Sequence, residues 1–193
     1  IVLKQYAELM EHADGTVADA RCPEAVNLIE RYNEERNLSI QVADIEPILI
    51  HCARELSARA DLADGEKIIT TPCRILAEQG NALELPHTRF VSWKDFLSEL
   101  GESLEPAPEA SPIPPGFFTG LSVPVVSLSG REDIEDYLEE RSRTSEAESE
   151  DRMMSGTAES QNTGAVIAEA ERKPLLLELL YCPQGCHMGD GVR

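Results

Sequence analysis

Five cysteines carry whatever chemistry this chain performs, and four of them sit in three short motifs. The motifs are Ala20-Arg21-Cys22-Pro23-Glu24, Thr71-Pro72-Cys73-Arg74 and Tyr181-Cys182-Pro183-Gln184-Gly185-Cys186. Four thiolates are the usual holders of a [4Fe–4S] cubane. Four thiolates also suit zinc. A lone C-x3-C pair says little, whereas the ordered set of C-P, P-C and C-P-x-G-C across the chain says more. The remaining cysteine, Cys52, has no proline neighbour and lies in an apolar helical run. It reads as a core thiol, since free cysteine is usually a small buried hydrophobe.

These thiols need elements to position them. Helical periodicity runs from Ile1 to Glu11 through Val2, Leu3, Tyr6, Leu9 and Met10. Thr16–Ala20 is extended and leads to Cys22. Pro23 opens a helix to about Glu35, since proline loses no hydrogen bond at the first helical position. Cys22 therefore stands at a helix N-terminus, where free N–H groups and the helix dipole favour thiolate. Asp44 is expected to cap a helix over Ile45–Ala60. Lys67–Thr71 reads as a strand ending at Cys73, and Arg89–Val91 as a second strand. Ser92, with Asp95 three residues on, opens another helix. Val123–Leu128 is a strand, Gly130 leads into a charged helix over Arg131–Glu140, and Leu175–Leu180 is a strand that ends at Cys182. Short strands alternating with helices predict an α/β fold with mostly parallel pairing and the cysteines at the carboxyl ends of strands. Gly185, Gly189 and Gly191 allow close backbone approach there.

Two stretches are expected to lie outside the core. Glu105–Pro115 is proline-rich and reads as a surface loop. Arg141–Thr163 is rich in Ser and Glu and short of large apolar residues, so it is expected to be a disordered or linker excursion. The predicted domain thus spans 1–140, leaves it over 141–163 and returns over 164–193. The 193 residues carry a formal net charge of −19, which argues against nucleic acid or an anionic membrane surface as partner. The apolar run Leu175–Leu180 is too short to span a bilayer. Scattered cysteines without a secretory signal point to a reducing, cytoplasmic setting. The chain starts at Ile1 and stops soon after Cys186, which reads as a piece of a longer protein.

The cysteine motifs resemble those of the C-terminal, H-cluster-binding domain of [FeFe] hydrogenase large subunits. Cys22-Pro23-Glu24-Ala25-Val26-Asn27-Leu28-Ile29-Glu30 is similar to the first family motif, Pro72-Cys73 to the second, and Glu178 through Cys186 to the third. Ser111 through Phe118 is similar to a connecting segment of some family branches. The resemblance covers most of Val17–Phe96, then Ser111–Tyr137 and Leu175–Gly191. It implies that Cys22, Cys73, Cys182 and Cys186 hold a [4Fe–4S] cluster. It leaves open a di-iron subsite bridged through Cys186. It also implies a ferredoxin, or an attached ferredoxin-like domain, as electron partner, with signalling domains a further option.

Several departures from the family bear on activity. Arg21 stands where hydrogen-evolving members carry a proton-passing cysteine, and arginine stays protonated. Leu76 replaces a lysine that donates to a cyanide ligand. Gln79 replaces a glutamate, although Glu78 is adjacent; Leu180 replaces a methionine and Gln184 a glycine. Groups around a metal site tune and hold it, so these losses bear more on the di-iron unit than on the cubane. No catalytic residue is assigned. The expected function is a sensory, regulatory or electron-transferring [4Fe–4S] domain with weak or no hydrogen turnover. Two alternatives stand beside it, an active hydrogenase and a non-enzymatic iron–sulfur assembly or scaffold protein. His187 follows a ligand and reads either as a donor or proton relay at the cluster or as a surface residue. His12, His51 and His87 read as ordinary. Arg21 reads as a partner for cluster charge or as a solvated side chain.

Overall fold

A computed structural model describes residues 1–103, 105, 109–111, 116–154 and 174–193. Its centre is a parallel sheet of four short strands flanked by helices. Helix α1 (Val2–His12) precedes strand β1 (Thr16–Ala18). Helix α2 (Pro23–Arg36) then carries the chain to β2 (Gln41–Val42), which pairs parallel with β1. Strands β5 (Val125–Ser129) and β6 (Leu175–Leu180) complete the order β2-β1-β6-β5, and every pair is parallel. A second parallel pair, β3 (Lys67–Thr71) with β4 (Thr88–Ser92), forms its own sheet. Helices α3 (Ile48–Ala58), α4 (Arg74–Asn81) and α5 (Trp93–Glu99) accompany that pair.

Side chains alternate across a strand, and β6 uses this fully. Leu177 and Leu179 pack on one face with Ile29 of α2 and with Ile134 and Leu138 of α6 (Arg131–Met154). Leu176 faces the other way, onto Tyr6 and Met10 of α1 and onto Phe118. The sheet is thus covered on both faces, as parallel sheets require. The smaller sheet has a separate core built from Ile50, Ala53, Ile69, Leu76, Ala77 and Phe90.

Local signals in the sequence set several boundaries. Pro23 stands in the first turn of α2 after Cys22, which has extended backbone. Asn37 ends α2 in the left-handed region at φ 52 and donates its N–H to Asn33 O. Ser92 caps α5: its Oγ accepts the Asp95 N–H at 3.1 Å and donates to the Asp95 carboxylate at 2.6 Å.

Besides β2 and α4, which the sequence reading did not mark, the structure departs from the sequence expectation at three places. Helix α3 starts at Ile48 and not at Ile45, with Pro47 at its N-cap in place of Asp44; proline disfavours helical backbone in the residue before it. Cys52 is exposed and not a core thiol, because the buried stripe of α3 runs through Ile50 and Ala53 and passes it by. Helix α6 continues beyond Glu140 to Met154. Residues 141–154 are therefore helical where an excursion was expected; residues 155–163 lie outside the described residues, as does most of the proline-rich stretch. The first turn of the extension continues one row of positions four apart: Ile134, Leu138 and Ser142 are all buried. Arg141 also donates to Thr16 Oγ1 at 2.6 Å. Serine gives no hydrophobic periodicity, yet it fits a close contact. Among the described residues, no helix is long and apolar enough to cross a membrane.

The substitution Ser142→Glu places a charge at a site only 5% exposed. It is expected to cost about 2 kcal/mol or more, read as a lower urea midpoint with unchanged slope. An unchanged midpoint would show that α6 is not packed at this turn.

Candidate functional site

The site forms where three strand ends meet. Strand β1 ends at Ala18 and reaches Cys22, the N-cap of α2. Strand β3 ends at Thr71 and reaches Cys73, the N-cap of α4. Strand β6 ends at Leu180 and reaches Cys182, with Cys186 at the start of a short 3₁₀ turn, Cys186–Met188. These four cysteines line one cavity of ≈ 510 Å³, together with Arg21, Leu76, Glu78 and Asp190 among others. Cys52 and His187 are not among its lining residues. His187 is exposed, and its Nδ1 lies 3.3 Å from Ser111 Oγ.

The last segment of the chain joins the two sheets. Gly191 donates its N–H to Pro72 O at 3.1 Å and accepts from Lys94 N at 2.7 Å. The Asp190 carboxylate accepts the Arg74 N–H at 3.2 Å, which satisfies a free donor at the start of α4. This docking needs two glycines. A Cβ on Gly189 would stand 2.5 Å from Pro72 O, and one on Gly191 would stand 2.8 Å from Cys73 N. Both neighbours are backbone, so no side-chain rotation relieves the clash. The glycines bring Cys186 up to Cys73.

Around Cys22 the loop is held by a buried ion network. The Asp19 carboxylate accepts from the Arg21 N–H at 2.8 Å, from Arg21 Nε and NH2 at 3.1 Å each, and from Leu179 N at 2.9 Å. Arg21 NH2 also donates to Glu178 Oε1 at 2.9 Å. Glu178 accepts the Phe117 N–H at 2.9 Å and the Ser127 hydroxyl at 2.6 Å. Ser127 is its register partner on β5. Asp19 is fully buried and Glu178 nearly so. Burial pushes the Glu178 carboxyl up, but the bonds from Ser127, Phe117 and Arg21 outweigh it and leave its pKa lowered. Burial likewise works against the Arg21 charge, and Asp19 and Glu178 overcome that and raise its pKa. Sequence reasoning missed Asp19 and Asp190; a carboxylate at a strand end among apolar residues is the signal that marks Asp19.

The four thiols feel one another. Burial pushes Cys22 up, opposed by backbone hydrogen bonds from Tyr181 and Ala25, and the Asp19 carboxylate adds to the rise. Burial also raises Cys73, against a backbone bond from Leu76, and Cys22 adds to the rise. Cys182 is pushed up to about 11 by burial and then by Cys22 and Cys73. Cys186 is pushed up to about 12 by burial and then by Cys22, Cys182 and Cys73, with Arg21 opposing. Four thiolates crowded together thus repel, and a cationic group among them would relieve the repulsion. Among the described residues, no three His, Cys, Asp or Glu side chains are gathered closely enough to hold a single metal ion. A zinc ion draws its thiolates to about 2.3 Å from one centre. These four line one cavity, each on its own stretch of wall. Four cysteine thiols at one cavity are the donor type and number that a cubane takes, and zinc takes the same set.

No protein-family model, curated protein or solved structure matches the chain.

Two expected outcomes follow from this geometry. In the metal-free protein, Cys182 and Cys186 keep their protons at a pH where the unfolded chain has lost them, above the ordinary value of 9.0. The unfolded state then binds fewer protons, so stability falls as pH rises from about 9 toward 11 to 12. Thermal melts at pH 8 and pH 10.5 should show this fall, and Cys182→Ser with Cys186→Ser should flatten it. An equal fall in both proteins would overturn the assignment. Separately, Gly191→Ala should detach the terminal segment from Pro72–Cys73 and raise the alkylation rate of Cys73, while Gly15→Ala, with open space around it, leaves that rate unchanged.

Proposed function

We propose that this chain is a [4Fe–4S] domain of the [FeFe] hydrogenase type, serving electron transfer or redox sensing with weak or no hydrogen turnover. The carrying observation is the assembly of Cys22, Cys73, Cys182 and Cys186 from three separate chain segments around one cavity, with Cys52 left outside. Such a cluster would exchange single electrons at a potential set by its surroundings. The chain's own residues supply the rest. Two thiols stand at helix N-termini, where N–H groups favour negative charge. The glycine-mediated docking of the terminal segment closes the ligand set.

The reading of weak turnover rests on Arg21 and Leu76. Arg21 stands beside Cys22 but gives its donors to Asp19 and Glu178, and a guanidinium in two ion pairs does not pass protons. Leu76 lines the cavity and is buried in the smaller core, so it offers no donor there. His187 turns to Ser111 and offers no replacement relay from the cavity wall. A ferredoxin or an attached ferredoxin-like domain is the electron partner in this reading, in a reducing cytoplasm.

Anaerobic reconstitution of single Cys→Ser variants, with iron and sulfide counted, tests the ligand set. Cys22, Cys73, Cys182 and Cys186 variants should each lose most of the cluster, and Cys52→Ser should keep it. Loss in Cys52→Ser with retention in Cys73→Ser would overturn the assignment. After artificial maturation with a di-iron complex, hydrogen evolution should be slow or absent. A positioned proton relay contributes about 10²–10⁴-fold, so Arg21→Cys with Leu76→Lys should raise the rate if those two residues limit it.

A further inference from the structure

Arg21 lines the cavity beside Cys22, yet its side chain is only 14% exposed. Two carboxylates grip its guanidinium from below. The Phe117 and Phe118 rings lie against it, with the guanidinium carbon 4.6 and 4.5 Å from their centroids. A planar fork can meet both carboxylates and stack on rings at once, while the charge it carries is one that lysine also supplies. The other basic residue of the wall, Arg74, is exposed and faces Asp95 at 3.7 Å. Arg21 is therefore a cation fixed in place within a poorly solvated wall, where its field is less screened than that of a surface charge. That field lowers Cys186, less than burial and the other thiols raise it, while the Asp19 carboxylate acts on Cys22 with the opposite sign.

Building on the cluster reading, we infer that Arg21 is a positioning residue that offsets the negative charge of the four-thiolate site. Its guanidinium sets the electrostatic potential inside the cavity and, with it, the reduction potential of a cluster held there. Asp19 and Glu178 hold the guanidinium still and limit how much of its charge the cavity feels. Adding an electron makes a thiolate-bound cluster more negative, so a nearby cation favours the reduced form. Taking the cation away lowers the potential, and neutralising one of its carboxylate partners raises it. The two changes act with opposite sign, and that separates a charge effect from a loss of structure.

The test compares Arg21→Met, Arg21→Lys and Glu178→Gln in the full chain. In the metal-free, reduced protein, cavity thiols are alkylated with anionic iodoacetate and with neutral iodoacetamide. The ratio of the two rates cancels the thiolate fraction and reports the local potential. Exposed Cys52, outside the cavity, is the internal reference. The ratio should fall several-fold in Arg21→Met, rise in Glu178→Gln and hold in Arg21→Lys. The midpoint potential of the reconstituted cluster should shift down, up and not at all in the same order. Should Arg21→Met not fold, a rise in Glu178→Gln with no change in Arg21→Lys still supports the inference. Ratios that stay equal in all variants, or move in one direction, overturn it. Ratios that follow the signs while no variant or parent chain takes up a cluster would overturn the cluster reading alone. Ratios that follow the signs over an unmoved midpoint would overturn the link to potential.

Discussion

The buried pairing of Arg21 with Asp19 and Glu178 is the interaction on which the site depends. Two carboxylates in a sheet core would be costly alone, and so would a guanidinium under aromatic rings. Together they are satisfied. Asp19 also accepts the Leu179 N–H, and Glu178 accepts from β5 and from the Phe117 backbone. One network therefore ties the end of β1, the middle of β6, the β5 edge and the 116–118 turn. Cys22 follows Arg21 directly, so its position is inherited from that network.

Removing one partner of a buried ion pair costs about 3–5 kcal/mol, comparable with much of a small domain's net stability. The network thus constrains which substitutions the loop tolerates. It also explains why β6 carries a glutamate in a run of leucines. Its face toward α1 is apolar at Leu176, and Glu178 two residues on is buried with equal completeness. The polar residue is accommodated because the loop after β1 returns a cation to the same spot.

A second constraint is the docking of the terminal segment. The two sheets have separate cores, and Pro72–Cys73 belongs to the smaller one. The glycines at 189 and 191 let backbone approach backbone, and Asp190 caps α4 from the far side. Cys73 thereby joins thiols held by the larger sheet. The four-cysteine cavity is a property of this junction and not of any one motif.

Much of the scaffold was legible in local signals. Pro23 and Ser92 announce helix starts, and the alternation of short apolar runs with helical stretches gives a parallel α/β sheet. These readings hold because a helix cap or a strand period is decided within a few residues. Cys52 was misplaced because periodicity alone leaves the phase of the buried stripe of α3 open, and packing against β3 and α4 fixes it. Helix α6 was cut short because its buried row passes from Ile134 and Leu138 to Ser142, and serine carries no hydrophobic signal. Three of the four candidate cysteines, Cys22, Cys73 and Cys182, were visible in their proline neighbours, and Cys186 in its C-x3-C spacing from Cys182. Their gathering at one cavity was decided only by the fold, since Cys22 and Cys182 are brought together by adjacent strands β1 and β6, and Cys73 by a contact 116 residues away in sequence. The role of Asp19 and Glu178 was likewise tertiary: a carboxylate's partner across a sheet is set by register, and register is written in no single segment.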